Sequence, residues 1–431
     1  MNLIRTSLLT GTSTVIKVAA GFVTNKVVAV IAGPPGMALI GQVQNVSSIL
    51  QNISSGIFGT AVVKYTAEWR DDPVRREAFL RLSFTIAFWA SLAVGGFTAG
   101  ISYVLARWLL KAPEYWWVFA LLGALLPVFS INSLVLSVIN GLGDVRRLTV
   151  INIAQSIVGL GVSVALPWCF GLAGALASAV LAATVIFVIL LPELRRHAWL
   201  RLGRLAWEGD RENLRRLGNF ALMAVVSGLC APVAQIAVRG WIIQRCSADE
   251  AGYWQALMRL SSAYLMFFTT TLSVYFLPKF SSLDPSGVVR ELKRGYALIL
   301  PVLAGGFFLI WLARGWLVPM LFSPQFQPMK DLLAYQLTGD FLKIGSWIMS
   351  FVMLARAKTG LFIVSEIIFN TLYVGLSTAL VGAGGEGGAR GALVAWIVLY
   401  ALYWAFVAAA LPRMLSGGGS GSGVLVGDQP V

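Results

Sequence analysis

The sequence predicts an all-α, polytopic membrane protein of about twelve transmembrane helices in two parallel six-helix lobes. Three observations carry this: an extreme apolar composition, a dozen span-length apolar runs, and an internal repeat. Of 431 residues, 58% are hydrophobic and only 12% charged, and the mean hydropathy is +0.78. A soluble domain carries roughly twice that share of charge. A chain this apolar cannot cover itself with polar surface, so most of its solvent is lipid.

Each bilayer crossing takes about 20 apolar residues. Runs of that length fall at about 7–32, 36–63, 79–108, 116–140, 149–169 and 171–192, then at 218–243, 252–277, 296–320, 329–355, 360–382 and 389–411. The runs are too long for barrel strands and lack period-2 alternation. The first run follows MNLIR in the manner of a signal peptide, but Lys17 and Lys26 interrupt it, so a retained helix is expected. The longest hydrophilic stretch, 193–217, reads as a cytoplasmic linker between lobes at 1–192 and 218–411. From Ser416 the chain is Gly/Ser-rich, and 412–431 reads as a flexible tail.

The repeat joins the halves. LGVSVAL at 160–166 matches VGLSTAL at 374–380, an offset of 214 residues, and Ser47-Ser48 meets Ser261-Ser262 at the same offset. Asp72-Pro73 recurs as Asp284-Pro285. An offset of six helices preserves orientation, so the lobes are related by an axis along the membrane normal and leave a cleft between them.

Charge position sets the orientation. With the N-terminus inside, cytoplasmic segments hold 22 of the 33 Lys and Arg, and the opposite loops hold six. This bias places both termini in the cytoplasm. Trp116, Trp117, Trp168, Trp241 and Trp254 fall near the outer edges, where an aromatic belt is expected. The net charge of +14 sits in loops between apolar runs, which argues against nucleic acid as partner. Cys169, Cys230 and Cys246 lack metal or redox spacing, although Cys169 and Cys246 fall near one membrane face and could pair. The single histidine, His197, lies in a basic loop, which excludes a histidine-based metal site. No cofactor is expected, and without a GxxxxGK[ST] motif neither is direct ATP hydrolysis.

Five bases and two acids fall inside predicted spans: Lys17, Lys26, Arg239, Arg259 and Lys343, with Asp340 and Glu366. A charge near a helix centre costs about 2.5–3.5 kcal/mol on insertion scales. Such groups face a cavity, pair, or snorkel. Lys26 and Arg239 lie near outer ends and can snorkel, Glu366 can reach water, and Asp340 and Lys343 sit three apart on one helix and can neutralise each other. Lys17, roughly 15 Å into the first helix at about 1.5 Å per residue, and Arg259 resist those explanations. Asp340 and Glu366 are candidates for ion coupling or charge pairing. The second span adds two polar stripes, Gln44, Ser47, Gln51, Ser54 and Asn45, Ser48, Asn52, Ser55. Facing lipid they would lack partners, so they bond neighbouring helices or line a cleft suited to hydroxyl-rich ligands, with Gln44, Asn45, Gln51 and Asn52 the amide candidates. A cleft of this composition prefers a polar anion.

At these residues the chain resembles the lipid III and O-antigen flippases, within the multidrug, oligosaccharidyl-lipid and polysaccharide exporter superfamily. The likeness is carried by TSLLTGTSTVIKVAAGFVTNKVVAV, GIFGTAVVKYTAEW, LGNFALMAVVSGLCAPVAQIAVR, SVYFLPKFSSL and LLAYQLTGDFLKIGSWIMSFVMLARAK, spread over nearly all of residues 1–411, and is greatest to the enterobacterial common antigen branch. The resemblance implies a V-shaped pair of bundles around a central cavity. It also implies translocation of an undecaprenyl-pyrophosphate-linked oligosaccharide across a bacterial inner membrane by alternating access, with other polysaccharide-assembly proteins as neighbours. By likeness, Lys17, Lys26, Arg239, Arg259 and Lys343 contact the pyrophosphate. The chain departs from the family in having no acid just after Arg259, where Leu260, Ser261, Ser262 and Ala263 stand. The competing readings are a multidrug or cation exporter of the same fold, and a membrane enzyme of lipid-linked sugar assembly. The first needs a cavity acid without a basic neighbour, and only Glu366 qualifies; the second needs a substantial outer loop, and the outer loops here reach only about ten residues.

Overall fold

The computed structural model describes residues 3–182, 184, 187, 190, 211–356, 358–382 and 388–415, and every regular element among them is helical. The expected linker up to Asp210, His197 and the tail from Ser416 lie outside the described residues.

Helix α1 spans Leu3–Gln51, with a kink at Gly33 (φ 63°, ψ −170°) followed by Pro34 and Pro35. The two prolines lack amide donors, and only glycine adopts this backbone without strain, so one long helix becomes the two spans read from the sequence. A π-helical turn, Asn52–Gly56, leads into α2 (Ile57–Glu68). Asp72 then caps α3 (Pro73–Gly100), its carboxylate accepting from the Arg75 amide at 3.1 Å, with proline at the first helical position. The short α4 (Ser102–Leu105) and a 3-10 turn at Pro113–Tyr115 carry the chain to α5 (Trp116–Gly141). Helix α6 (Val145–Leu181) is capped by Asp144 and kinks at Gly171 (φ 58°).

The second half repeats this grammar. Helix α7 (Arg211–Arg245) answers the first limb of α1, and α8 (Ala248–Thr271), capped by Ser247, answers the second. A π-helical turn at Leu272–Phe276 and α9 (Leu277–Ser282) follow. Asp284 caps α10 (Pro285–Leu312), again with proline first. Then come α11 (Arg314–Leu321), a 3-10 turn at Pro324–Phe326, and α12 (Met329–Ala355). Helix α13 (Thr359–Leu380) ends before Gly382 (φ 89°), the counterpart of Gly171, and α14 (Gly388–Leu415) closes the fold. The recurrence of the Asp-Pro caps, the π-turns and the glycine breaks is the structural form of the sequence repeat.

Nine helices among the described residues are long and apolar enough to cross a membrane. Of these, α1 bends at Gly33 and supplies two spans, α6 bends at Gly171 and begins a further one, and the more polar run from α8 to α9 supplies another. The sixth expected span is described as helix to Leu181. On the outside, α10 presents Leu298, Val302, Phe308, Leu309 and Leu312, each more than half exposed. An apolar surface of this size needs lipid against it. The chain is therefore a multi-pass membrane protein.

Within each half α1 packs on α6, α3 on α5, and α12 on α14. Across the halves α1 packs on α7 and α8, and α2 on α7. The amino group of Lys26 donates to the Pro319 carbonyl on α11 at 2.8 Å. A Cβ on Gly252 would lie 2.0 Å from the Pro34 carbonyl oxygen, so the second limb of α1 and the start of α8 touch backbone to backbone. The cysteines are free, so Cys169 and Cys246 form no pair. Trp254 departs from the aromatic belt expected of it: it is fully buried, with the Arg239 guanidinium 5.3 Å from its ring centroid.

Candidate functional site

Polar faces of α1, α7, α8 and α12 meet at a cavity of about 500 Å3. The spacing explains which side chains arrive there. On α1, Lys17, Gly21, Thr24 and Asn25 follow i, i+4, i+7, i+8, and on α8, Gln255, Arg259, Ser262 and Met266 follow i, i+4, i+7, i+11. Each set is one helical face. Gln44 and Asn45 from the second limb of α1, Gln235 from α7 and Lys343 from α12 complete the wall.

Arg259 is held open toward this space. Its guanidinium donates to Asn25 Oδ1 and to Gln44 Oε1, both at 2.7 Å. Both partners are neutral, so its charge stays uncompensated. Lys343 stands over the rings of Trp347 and Trp396, each at 4.7 Å, and Tyr400 at 5.4 Å. Lys17 is exposed on the wall, which it shares with a second space of about 450 Å3 lined by Ser13, Thr14, Asn152, Gln155 and Ser156. Among the described residues no Asp or Glu lines either space. Three cations thus face a polar cavity with no carboxylate among its described lining residues, an arrangement that attracts anions and repels cations.

The other sequence candidates are placed differently. Arg239 is fully buried and does not line the cavity; it donates to Gln42 Oε1 at 2.7 Å and to Gln255 Oε1. It binds α7 to α1 and α8, with neutral oxygens replacing the water it has lost. Lys26 is engaged at Pro319, away from the cavity. Asn45 donates to Gln235 at 3.3 Å, and Asn52 donates to the Ser48 carbonyl at 3.0 Å and to Gly228 on α7 at 3.5 Å. Gln51 and Asn52 line neither space.

Asp340 and Lys343 form no direct ion pair, although both Asp340 and Glu366 lie close enough to Lys343 to attract it through space: among the described residues no Lys or Arg nitrogen lies within 4.0 Å of either carboxylate. Asp340 is fully buried and accepts instead from the Tyr264 hydroxyl, Gln336 Nε2 at 2.8 Å and Trp396 Nε1 at 3.1 Å. Three neutral donors satisfy it without a direct ion pair. Glu366 accepts from Asn370 at 3.0 Å. Among the described residues no group of three His, Cys, Asp or Glu side chains could hold a metal ion.

Sequence reasoning does not single out Asn25, Gln235, Asn152, Gln155 or Ser156. The i, i+3, i+4 spacing of the last three on an apolar helix is a signal it could have used. Gln235 and Asn25 carry none, because what matters is the arginine or amide each meets from another helix.

The geometry invites comparison with known proteins. Over 404 residues the chain is 29% identical to the lipid III flippases of Escherichia coli (strain K12) and Shigella flexneri, covering 93% of this chain and 96% of theirs. Among solved structures, an inward-facing multidrug resistance MATE family transporter of the MOP superfamily superposes with a TM-score of 0.75 at 15% identity. That alignment covers 94% of this chain and 96% of the transporter. The lipid II flippase MurJ, in an inward closed conformation, superposes with a TM-score of 0.71 at 14% identity, covering 96% and 90%. These likenesses confirm the helical transporter fold. The family model described as polysaccharide biosynthesis protein matches residues 3–284, and the chain belongs to that family.

Proposed function

We propose that this protein is a flippase, not an enzyme, that carries a prenyl-diphosphate-linked oligosaccharide of the lipid III or O-antigen kind between the leaflets of a bacterial inner membrane. The observation that carries this reading is the cavity with Lys17, Arg259 and Lys343 on its wall and no carboxylate among its described lining residues. A diphosphate needs cations and fixed donors, and a glycan needs amides and hydroxyls. Both sets are present, and the full-length likeness to flippases named for lipid III agrees.

In this reading Arg259 grips the diphosphate, with Lys17 and Lys343 flanking it, while the distal sugars of the glycan occupy the hydroxyl- and amide-lined space between α1 and α6. Gln44 and Asn45 serve as glycan-facing amides. Arg239 and Lys26 tie the two halves together instead of binding the headgroup. The halves, 1–192 and 218–411, act as lobes that rock about the cavity, with both termini in the cytoplasm as the loop charges indicate. Asp340 takes the coupling role. It is a buried carboxylate held by neutral donors one turn from Lys343, on the same helix as that wall residue. Asp340→Asn protein is then expected to transport more slowly than wild type at equal expression.

Complementation tests the function. Expression in an Escherichia coli strain lacking its own lipid III flippase should restore export of the lipid-linked glycan. Arg259→Gln protein, expressed to the same level, should not. Equal rescue by both would remove Arg259 from the site.

A further inference from the structure

Beside Lys343 lies a side space of about 160 Å3. It shares Gln235, Lys343 and Trp396 with the central cavity, so the two are adjacent. Its chemistry differs. The central wall is amide and cation, whereas this space is walled by Tyr400, Tyr403, Phe369 and Trp396, with Glu366 and Asn370 among them. The rings stand as a connected aromatic set: Trp396 to Tyr400 at 4.8 Å, and Phe369 to Tyr403 at 4.8 Å, both edge to face.

Glu366 makes the space more than an aromatic gap. Its carboxylate sits on the membrane-spanning helix α13, has no Lys or Arg nitrogen within 4.0 Å among the described residues, and is held by Asn370 at 3.0 Å. An ionised carboxylate accepts several hydrogen bonds, and one amide donor leaves capacity unused. Aromatic faces beside a carboxylate and an amide suit a sugar ring: its C–H faces lie on the rings and its hydroxyls donate to the acid. A free cation is disfavoured, because Lys343 stands at the mouth. A flat lipid chain would leave Glu366 unsatisfied.

We propose that this side space is a subsite for one sugar ring of the substrate, the ring next to the diphosphate, with Glu366 as hydroxyl acceptor and Tyr400 and Tyr403 as its platform. The inference rests on the flippase reading and adds to it. Lys343 lies at the junction of the two spaces, so one side chain can sense diphosphate on one side and the first sugar on the other. The subsite lets the protein distinguish a glycosylated carrier from a bare one.

Two probes test this: a short-chain prenyl diphosphate, and the same molecule bearing a single N-acetylglucosamine on the diphosphate. Binding to purified full-length protein in detergent is followed by tryptophan fluorescence. The wild type should bind the glycosylated probe at least five-fold more tightly than the bare one. Glu366→Gln, which preserves shape and the contact with Asn370, should bring that ratio close to one, and so should Tyr403→Leu. Equal affinity of the wild type for the two probes overturns the sugar subsite and leaves the flippase reading standing. So does a ratio preserved in both variants. If the wild type binds neither probe, the flippase reading itself fails. A loss of transport in Glu366→Gln with the binding ratio intact would assign Glu366 to coupling and also overturn the subsite.

Discussion

A guanidinium in an apolar interior keeps its charge only where fixed dipoles replace the water it has lost. Arg239 and Arg259 solve this in two ways. Arg239 is enclosed by Gln42, Gln255 and the Trp254 ring, and serves the joint between α1, α7 and α8. Arg259 is anchored by Asn25 and Gln44 yet lines the cavity, so its uncompensated charge is felt by a ligand there. Opposite consequences follow from these roles. Gln42→Leu should destabilise the protein by about 1–3 kcal/mol, the cost of leaving one charged donor unmet, visible as a lower melting temperature in detergent. Arg259→Gln should leave the melting temperature nearly unchanged and weaken diphosphate binding roughly 10–100-fold, the equivalent of a lost charge-assisted contact. The residue types of both arginines stand out in the sequence. Their roles do not, because the partners come from helices as many as 234 residues away.

At the scale of the element, most of the fold is legible. Asp72-Pro73 and Asp284-Pro285 are cap signals that can be read directly, and each starts a helix in the structure. Gly33-Pro34-Pro35 divides the first two spans as the run lengths anticipate. The π-helical turns at Asn52–Gly56 and Leu272–Phe276 are not legible. They depend on how the flanking helices pack, and no local residue announces them. Ser247 caps α8 by accepting from the Glu250 amide at 3.1 Å, so Ser247→Ala should cost about 0.5–2 kcal/mol in a thermal melt. The Ser286 hydroxyl, with the Gly287 amide, holds the Asp284 carboxyl below its usual range. A carboxyl depressed in the folded state stabilises it above the unfolded value and loses that effect as pH falls through the folded one. The stability of wild type relative to Asp284→Asn should therefore rise with pH through the acidic carboxylate range and level off above it.

At the scale of the molecule, the halves meet through α1, whose second limb lies against α8 with Pro34 and Gly252 in backbone contact. The composition and the 214-residue offset make two membrane lobes legible, but which bases share a cavity is decided by that packing. Lys17, Arg259 and Lys343 come together, while Lys26 and Arg239 are drawn into the joint. If the lobes must part at this contact for the cavity to face the other side, a bulky side chain there should bias the molecule. Gly252→Leu, which cannot close against Pro34, should alter transport without touching Arg259. The most direct measurement is flipping itself, in proteoliposomes carrying a fluorescent prenyl-diphosphate-linked oligosaccharide with its glycan initially on one leaflet. Wild-type protein should expose the glycan on the opposite leaflet well above the protein-free rate, and Lys17→Gln and Arg259→Gln should each slow this at least ten-fold. A wild-type rate no faster than empty liposomes, or one matched by both variants, would contradict the account.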